Sequence, residues 1–515
     1  MVEQIDCQVL VVGAGPGGYV AAIRAGQLGL KTVIVEGDKC GGTCLIRGCI
    51  PSKAMIHAAD RFEALAKHQE GHMGMSITGE VKLDMKAMVS WKDDIVTRLN
   101  KGVEALLKKA GVRLVKGWAT FTDGKTCTVT TDRPGEENSA SGQTGDAERR
   151  KAGAGQPGEG EVARISAENV ILATGSRAIE LPFMKFDEKH IISSTGALDL
   201  EKLPEKVAII GGGYIGLELG CALSRLGSEV TVIEGLDSVL AIFDAELRRP
   251  LERWLKKRKV KIHTNCLAQG AEILPPVKSG GGKRKAGGDG GSRVELSWQN
   301  KAGEIVAETY DKVLVTVGRI PNTEGWGLQS MGVKMDDAGL FISIDEQCRT
   351  NMNGIFAIGD LAGEPLLAHK ASAQGEMVAE IIAGHKRVFD PVAIPAIVFT
   401  EPEIVTVGLS PEEAVAAGHE IVVGKFPLAA NGRALTIGAE ETGGFVRVVA
   451  NKSDDVVLGI QCVGSHVSEL SGEFTLALEM GAVLDDIAHT IHAHPTMTES
   501  FHEGILATLG RAIHQ

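Results

Sequence analysis

Two stretches of this 515-residue chain follow the same grammar, and that repetition limits the fold more than any other feature. In the first, an apolar run at 9–12 enters Gly13-Ala-Gly-Pro-Gly-Gly18, a helix follows to Leu28, and a second apolar run at 32–35 ends in Glu36. In the second, 207–210 leads into Gly211-Gly-Gly-Tyr-Ile-Gly216, a helix to Leu226, and a run at 230–233 that ends in Glu234. A lone G-x-G-x-x-G carries little weight. Two copies, each between a strand and a helix and each with an acid about 20 residues on, point to two dinucleotide sites in doubly wound α/β domains. In each turn the first glycine (Gly13, Gly211) permits the bend, and the second (Gly15, Gly213) lets backbone approach a pyrophosphate. The third (Gly18, Gly216) lets the helix lie close to its strand. The helix N-terminus then offers the phosphates its unsatisfied N–H groups and the positive end of its dipole. Glu36 and Glu234 are placed to accept from an adenosine ribose, and a carboxylate there repels a 2′-phosphate, so FAD or NAD fits better than NADP. No arginine beside Glu234 in Val232-Ile-Glu-Gly235 offsets that repulsion.

Length allows several compact units. A formal net charge of -12 argues against a general nucleic-acid grip. No apolar run approaches the roughly 18 to 20 residues that span a bilayer, and the start, Met-Val-Glu-Gln-Ile-Asp, lacks a cationic leader. The expectation is a cytoplasmic protein with no membrane or nucleic-acid partner. The nine cysteines are too scattered to form a secreted disulfide framework. Cys7, Cys127, Cys221, Cys266, Cys348 and Cys462 read as packing residues, and the role of Cys40 is open. Two insertions, 133–160 and 275–292, are rich in Gly, Ser, Lys and Glu and too poor in large apolar residues to bury a core. The β-like runs Thr126–Thr130 before the first and 294–298 after the second make each insertion the tip of a hairpin. The basic patch Lys283-Arg-Lys285 sits in the second, as a solvated loop or a docking segment.

After the first glycine turn comes Gly41-Gly-Thr-Cys-Leu-Ile-Arg-Gly-Cys-Ile-Pro-Ser-Lys53, with two cysteines opening an expected helix at 54–59. Cysteines at that spacing can close a small ring on a distorted first turn, and the helix dipole favours thiolate, which suits reversible two-electron chemistry. A purely structural staple is the other use of such a pair, and a large chain without secretory features has little need of one. The motif Gly-Gly-Thr-Cys-x4-Cys-Ile-Pro-Ser-Lys after such a fingerprint resembles the flavin disulfide reductases, the pyridine nucleotide-disulfide oxidoreductase family that includes lipoamide, glutathione and mercuric reductases. The likeness extends from Ile5 to the C-terminus outside the insertions. Ile46 and Arg47 depart from the commoner Asn-Val between the cysteines.

The resemblance implies that the first site holds FAD through Gly13, Gly15, Gly18, Glu36, Thr43, Lys53, Gly117, Asp360 and Ala368. It implies that Cys44 exchanges with substrate, that Cys49 lies against the flavin, and that Lys53 pairs with Glu218 from the second nucleotide motif. The second site then takes NAD, through Gly211, Gly213, Gly216, Glu234 and Gly318. Near the C-terminus, His492-Ala-His-Pro-Thr-Met-Thr-Glu499 holds a His-Pro-x3-Glu pattern in which Glu499 orients His494 as an acid–base dyad. His492 is the competing histidine, without the following proline and spaced glutamate. By resemblance the dyad serves the disulfide of a second subunit, so a homodimer is implied. The implied fold is two doubly wound domains, FAD-binding at 1–196 and NAD-binding at 197–318. A central domain at 319–391 and a C-terminal α+β dimerisation domain at 392–515 complete it. The implied reaction oxidises a dihydrolipoyl dithiol with NAD, with the lipoyl domain and E2 core of a 2-oxo acid dehydrogenase complex as partners. The rivals are a reductase acting towards thiol and a non-catalytic flavoprotein subunit.

Overall fold

The apolar run at 9–12 belongs to a longer strand, Glu3–Val12, in which Val9, Leu10 and Val11 are fully buried. Such runs fit a pleated backbone covered on both faces, which is how parallel sheets are built. The protein is seen here in a computed structural model, which describes residues 2–69, 71–132, 160–275, 293–439 and 443–514. The chain forms two compact units, one of Met1–Met55, Lys86–Glu180 and Gly318–Asp390, the other of Ile56–Met85, Leu181–Val317 and Pro391–Gln515.

The first unit is organised by a seven-stranded sheet. Its parallel part runs Arg113–Lys116, Thr32–Glu36, Glu3–Val12, Glu161–Leu172 and Ile355–Ala357. Val12 stands beside Val35 and Leu172, and Leu172 beside Ala357, so these strands end at one edge of the sheet. Ligands of open α/β sheets bind at that edge. The strand Glu161–Leu172 serves two neighbours on one side: Thr126–Thr130 runs antiparallel to its first half, and Ile355–Ala357 runs parallel to its end. That second pairing carries Asp360 to the edge where Gly13 and Glu36 lie. The helix Pro16–Gln27 buries Ala21, Ala22 and Ala25 and lies so close to the helix Ala368–Ile382 that a Cβ on Gly375 would come within 2.3 Å of the Gly17 carbonyl. Glu380 fastens the same pair of helices through Arg24 at 2.6 Å.

In the second unit a five-stranded parallel sheet has the order Lys261–His263, Glu229–Ile233, Lys206–Ile210, Lys312–Val315 and Ile191–Ile192. The same unit holds a three-stranded antiparallel sheet, Leu267–Leu274, Arg293–Gln299 and Ile305–Tyr310. A five-stranded antiparallel sheet of residues from Ala396–Val398 to Val457–Gly464 is covered by the helices Ser471–Glu479 and Glu499–Thr508. Phe474 and Phe501, edge to face at 4.9 Å, lie in their common core. The architecture is therefore the α/β class expected, with two nucleotide-type parallel sheets and a C-terminal α+β part. Both expected hairpins are present, since Thr126–Thr130 pairs antiparallel with Glu161–Leu172 and Leu267–Leu274 with Arg293–Gln299. The insertions they carry, with Lys283-Arg-Lys285, lie outside the described residues apart from Gly160 and Pro275. Among the described residues no helix is long and apolar enough to cross a membrane.

Candidate active site

The two glycine turns repeat each other in detail. Gly13 and Gly211 have φ of +96° and +97°, and a Cβ at either would meet a backbone carbonyl, Ala173 O at 2.3 Å or Thr316 O at 2.6 Å. Gly18 and Gly216 are closed by the carbonyl of the first glycine, at 1.8 and 2.5 Å from a built Cβ. Around Gly15 and Gly213 a Cβ would meet nothing within 4 Å. The middle glycine of each turn thus opens onto free space, and each is the N-cap of its helix with no side chain capping it. This is the geometry a pyrophosphate requires, backbone N–H groups exposed at a helix N-terminus.

The acids fall in equivalent places. Glu36 Oε2 accepts from the Ala14 N–H at 2.7 Å and Oε1 from Asp38 at 2.8 Å. Glu234 Oε2 accepts from the Gly212 N–H at 2.5 Å and Oε1 from Leu236 at 2.7 Å. Each carboxylate is held at the lip of its glycine turn, with lone pairs left for ribose hydroxyls. Burial pushes the Glu36 carboxyl above the usual range, against the hydrogen bond from Ala14. Gly117, at φ +146°, donates its N–H to the Glu36 carbonyl at 2.9 Å, and a Cβ there would lie 2.5 Å from Thr130 O.

The cysteine segment docks on the first turn. The Gly41 N–H bonds to Ala14 O at 2.7 Å, and a Cβ on Gly42 would lie 2.6 Å from the Gly15 Cα. Cys44 and Thr43 belong to a short helix, Gly42–Arg47, and Cys49 begins the next, Cys49–Gln69. The helix expected at 54–59 is present within Cys49–Gln69, and Pro51 sits in its first turn, where its missing N–H costs no hydrogen bond. The pair is present as two thiols, Cys44 half-buried and Cys49 exposed. A hydrogen bond to Cys49 and then burial push the Cys44 thiol well up, while Lys53, one turn beyond Cys49, pulls it down. Cys40 is a core residue whose carbonyl accepts from Asn100 at 2.5 Å, and burial lifts its thiol to about 11. Cys7, Cys127, Cys221, Cys266, Cys348 and Cys462 are all buried, as packing residues are.

Asp360 follows Gly359, whose φ is +70°, and Ser176 donates its hydroxyl to Asp360 Oδ2 at 2.5 Å. Arg319 grips Ser176 twice, Nε to the hydroxyl at 2.8 Å and Nη2 to the carbonyl at 2.6 Å. Neither Ser176 nor Arg319 was visible as a site residue in the sequence, because the contact joins positions 143 apart with no local pattern. Ala368 opens the helix Ala368–Ile382, whose N-cap Leu367 also supplies no side-chain cap. Gly318 has φ +123°, and a Cβ on it would lie 3.2 Å from Ile179 Cδ1. Glu218 is buried in the helix Tyr214–Leu226, where Oε1 accepts from the Phe399 N–H at 2.9 Å.

At the C-terminal end His494 Nδ1 lies 2.9 Å from Glu499 Oε1, and Glu499 Oε2 accepts from the Thr496 N–H at 2.8 Å. The imidazole is 79% exposed and the carboxylate 26%, so Nε2 faces outward while Nδ1 is held. Burial raises the Glu499 carboxyl, but the Thr496 amide and His494 outweigh it and leave it below the usual range. The other histidine, His492, has a glutamate of its own, Glu473, at 2.9 Å.

Residues 7–375 match the family model described as pyridine nucleotide-disulphide oxidoreductase, and 394–505 match its dimerisation domain. The chain is 48% identical over 515 residues to the dihydrolipoyl dehydrogenase of Pseudomonas aeruginosa, covering all of both chains. It is 44% identical to that of Geobacillus stearothermophilus, over 99% of this chain and 98% of the other. Among solved structures, LpdA from Mycobacterium tuberculosis superposes with a TM-score of 0.80 at 24% identity, over 98% of this chain and 99% of that one.

Proposed function

The chain belongs to the pyridine nucleotide-disulphide oxidoreductases, and on that premise we propose that it catalyses the dihydrolipoyl dehydrogenase reaction, passing two electrons from a dihydrolipoyl dithiol to NAD. FAD and NAD serve as cofactors, and the residues of the two glycine turns fit them. The observation that carries the reading is the pair of neighbouring thiols on the segment whose Gly41 and Gly42 pack against the first glycine turn, in a chain 48% identical from end to end to a dihydrolipoyl dehydrogenase.

Bound FAD supplies the two-electron link between the thiol pair and the nicotinamide. The chain's own residues do the rest. With Cys44 and Cys49 joined as a disulfide, one substrate thiol gives its proton to His494 Nε2, and the thiolate attacks Cys44 Sγ. The Cys44–Cys49 bond breaks, a mixed disulfide forms, and Cys49 leaves as thiolate. The second substrate sulfur then displaces Cys44, its proton passing to the leaving Cys44 sulfur, so the substrate departs as lipoyl disulfide and the enzyme holds both electrons on Cys44 and Cys49. Glu499 keeps the His494 tautomer fixed through Nδ1 and stabilises the imidazolium that forms. Lys53 and Glu218 are proposed as the charged pair beside the flavin, Asp360 as the acceptor for its ribityl hydroxyls, and Gly318 as part of the nicotinamide end.

The family's dimerisation domain makes the working form a homodimer. The proposed partner is a lipoyl domain on the E2 core of a 2-oxo acid dehydrogenase complex, in the cytoplasm. A reducing compartment accords with the buried free cysteines. Steady-state rates with dihydrolipoamide and NAD, beside glutathione disulfide and NADPH, test the reading. Turnover confined to the first couple supports it, and a preference for the second would replace it with a thiol-directed reductase.

A further inference from the structure

His492 stands beside the proposed base and is built differently. Its side chain is 5% exposed, against 79% for His494. Each of its ring nitrogens faces an oxygen: Nε2 is 2.9 Å from Glu473 Oε1, and Nδ1 is 2.9 Å from the Thr490 carbonyl. A carbonyl only accepts, as does an ionised carboxylate, while a neutral imidazole carries one N–H. Both contacts are hydrogen bonds only when the ring carries both protons. Its remaining surroundings agree with a fixed cation. Phe501 meets the ring edge to face at 6.5 Å, and His502 lies tilted on it at 5.0 Å. The His502 ring is itself tied by Nε2 to the Ala488 carbonyl at 3.0 Å. The carboxylates that act on His492 are Glu473, from the helix Ser471–Glu479, and Glu499, from the helix Glu499–Thr508. The Glu473 hydrogen bond, first, holds the imidazole pKa above its usual value, against the opposing effect of burial.

These contacts fasten the segment that carries His494. Asn431 Nδ2 and Glu499 Oε2 hold it at Thr496, at 3.1 and 2.8 Å, on the far side of His494. His492 holds it on the near side. We propose that His492 is a standing imidazolium, locked to Glu473, that positions the His494–Glu499 dyad and takes no part in proton transfer itself. Both of its nitrogens are committed, so neither is left to receive a substrate proton. The proposal rests on the reading of His494 as the base.

Neutron diffraction from deuterium-exchanged crystals of the unmodified holoenzyme at pH 7.5 tests the charge directly. Deuterons on both Nδ1 and Nε2 of His492 are expected, and a ring with one deuteron would overturn the proposal, whatever His494 does. Function is read from the pH profile of dihydrolipoamide oxidation by Glu473→Gln. Without the carboxylate His492 should return towards a pKa of about 6.5. The variant should then reach within about twofold of unmodified kcat at pH 6 and fall about tenfold below it above pH 8, with KM unchanged, as expected for lost positioning of an acid–base group. His492→Gln should be slow at every pH. A Glu473→Gln defect independent of pH, or none at any pH, sinks the positioning role. Should His494→Gln prove fully active, the base assignment fails separately, and the neutron result still decides the state of His492.

Discussion

At the end of each second strand a glutamate accepts two backbone N–H groups, one from its glycine turn and one from the residue two positions on. That fixes the carboxylate at the place where an adenosine ribose would lie, and cofactor choice becomes a question of one charge. Glu234 should favour NAD over NADP by at least about tenfold in kcat/KM, since roughly 1.4 kcal/mol of repulsion already gives that ratio. In Glu234→Arg both rates should fall, because the bond to Gly212 is lost, and the ratio should narrow. Equal rates with both cofactors in the unmodified enzyme would remove this role for Glu234. A second residue-scale expectation concerns the sulfurs. Cys49 is proposed as the sulfur that faces the flavin, and Cys44 as the one that exchanges with substrate. Two-electron reduction of the yellow enzyme should therefore give a long-wavelength charge-transfer band that Cys49→Ser abolishes, and a mutant that kept the band would exchange the two assignments. The glycines, glutamates, cysteines and the His494–Glu499 spacing were legible because each belongs to a short local pattern. Ser176 and Arg319, behind Asp360, were not, since their contact exists only after strands far apart in sequence have paired.

Among the elements, the helix Ala245–Lys257 shows how one side chain does two jobs. Asp244 is its N-cap, accepting from the Glu246 and Leu247 N–H groups at 2.9 and 3.2 Å, and its other oxygen takes Arg447 Nη2 at 2.5 Å. Arg447 is buried in the strand Phe445–Asn451, with Gln461 on Nε at 2.9 Å and Glu246 on Nη1 at 2.9 Å. Losing a cap costs about 1 kcal/mol, whereas stripping a buried ion pair of one partner costs about 3–5 kcal/mol. Glu246 keeps part of the compensation, so Asp244→Ala should destabilise by about 3 kcal/mol, the lower end of that range, seen as an earlier urea midpoint. An effect no larger than a lost cap would mean that Arg447 relies on Glu246 alone. For Asp244, burial raises the carboxyl pKa but Arg447 outweighs it, so the group lies below its usual range. A depressed carboxylate contributes stability at pH above its unfolded value, about 3.9, and loses it as pH falls through the folded one. The unmodified protein should accordingly lose more stability than Asp244→Asn on acidification below about pH 4. The two strand–helix–strand units were legible because buried parallel strands require unbroken apolar runs, although the first strand begins at Glu3, ahead of the run at 9–12. The helix that the cysteines were expected to open begins at Cys49, with Pro51 in its first turn.

At the scale of the molecule, the family's dimerisation domain, matched over 394–505, contains both His494 and Glu499. Its five-stranded sheet was expected only as an α+β region, since short antiparallel strands among helices give weak periodicity, while the contact of His494 with Glu499 was legible in the His-Pro-x3-Glu spacing. The imidazole of that loop is 79% exposed on the protomer, an open position for a group proposed to act on a buried chemical step, and one that a second subunit would cover. If each disulfide is served by the other chain's dyad, neither chain has a complete site. Cys44→Ser homodimers should lose thiol–disulfide exchange, and His494→Gln homodimers should lose general-base assistance, a factor of about 10² to 10⁴ in rate. Both should still bind FAD and remain dimeric, because neither side chain belongs to a glycine turn or to the core. A heterodimer of the two mutants holds one site with both lesions and one with neither, so co-expression should restore about half the unmodified activity per dimer, by counting sites under two-fold symmetry. Purified mixed dimers as inactive as their parents, from mutants shown to be folded and dimeric, would mean that His494 acts within its own chain.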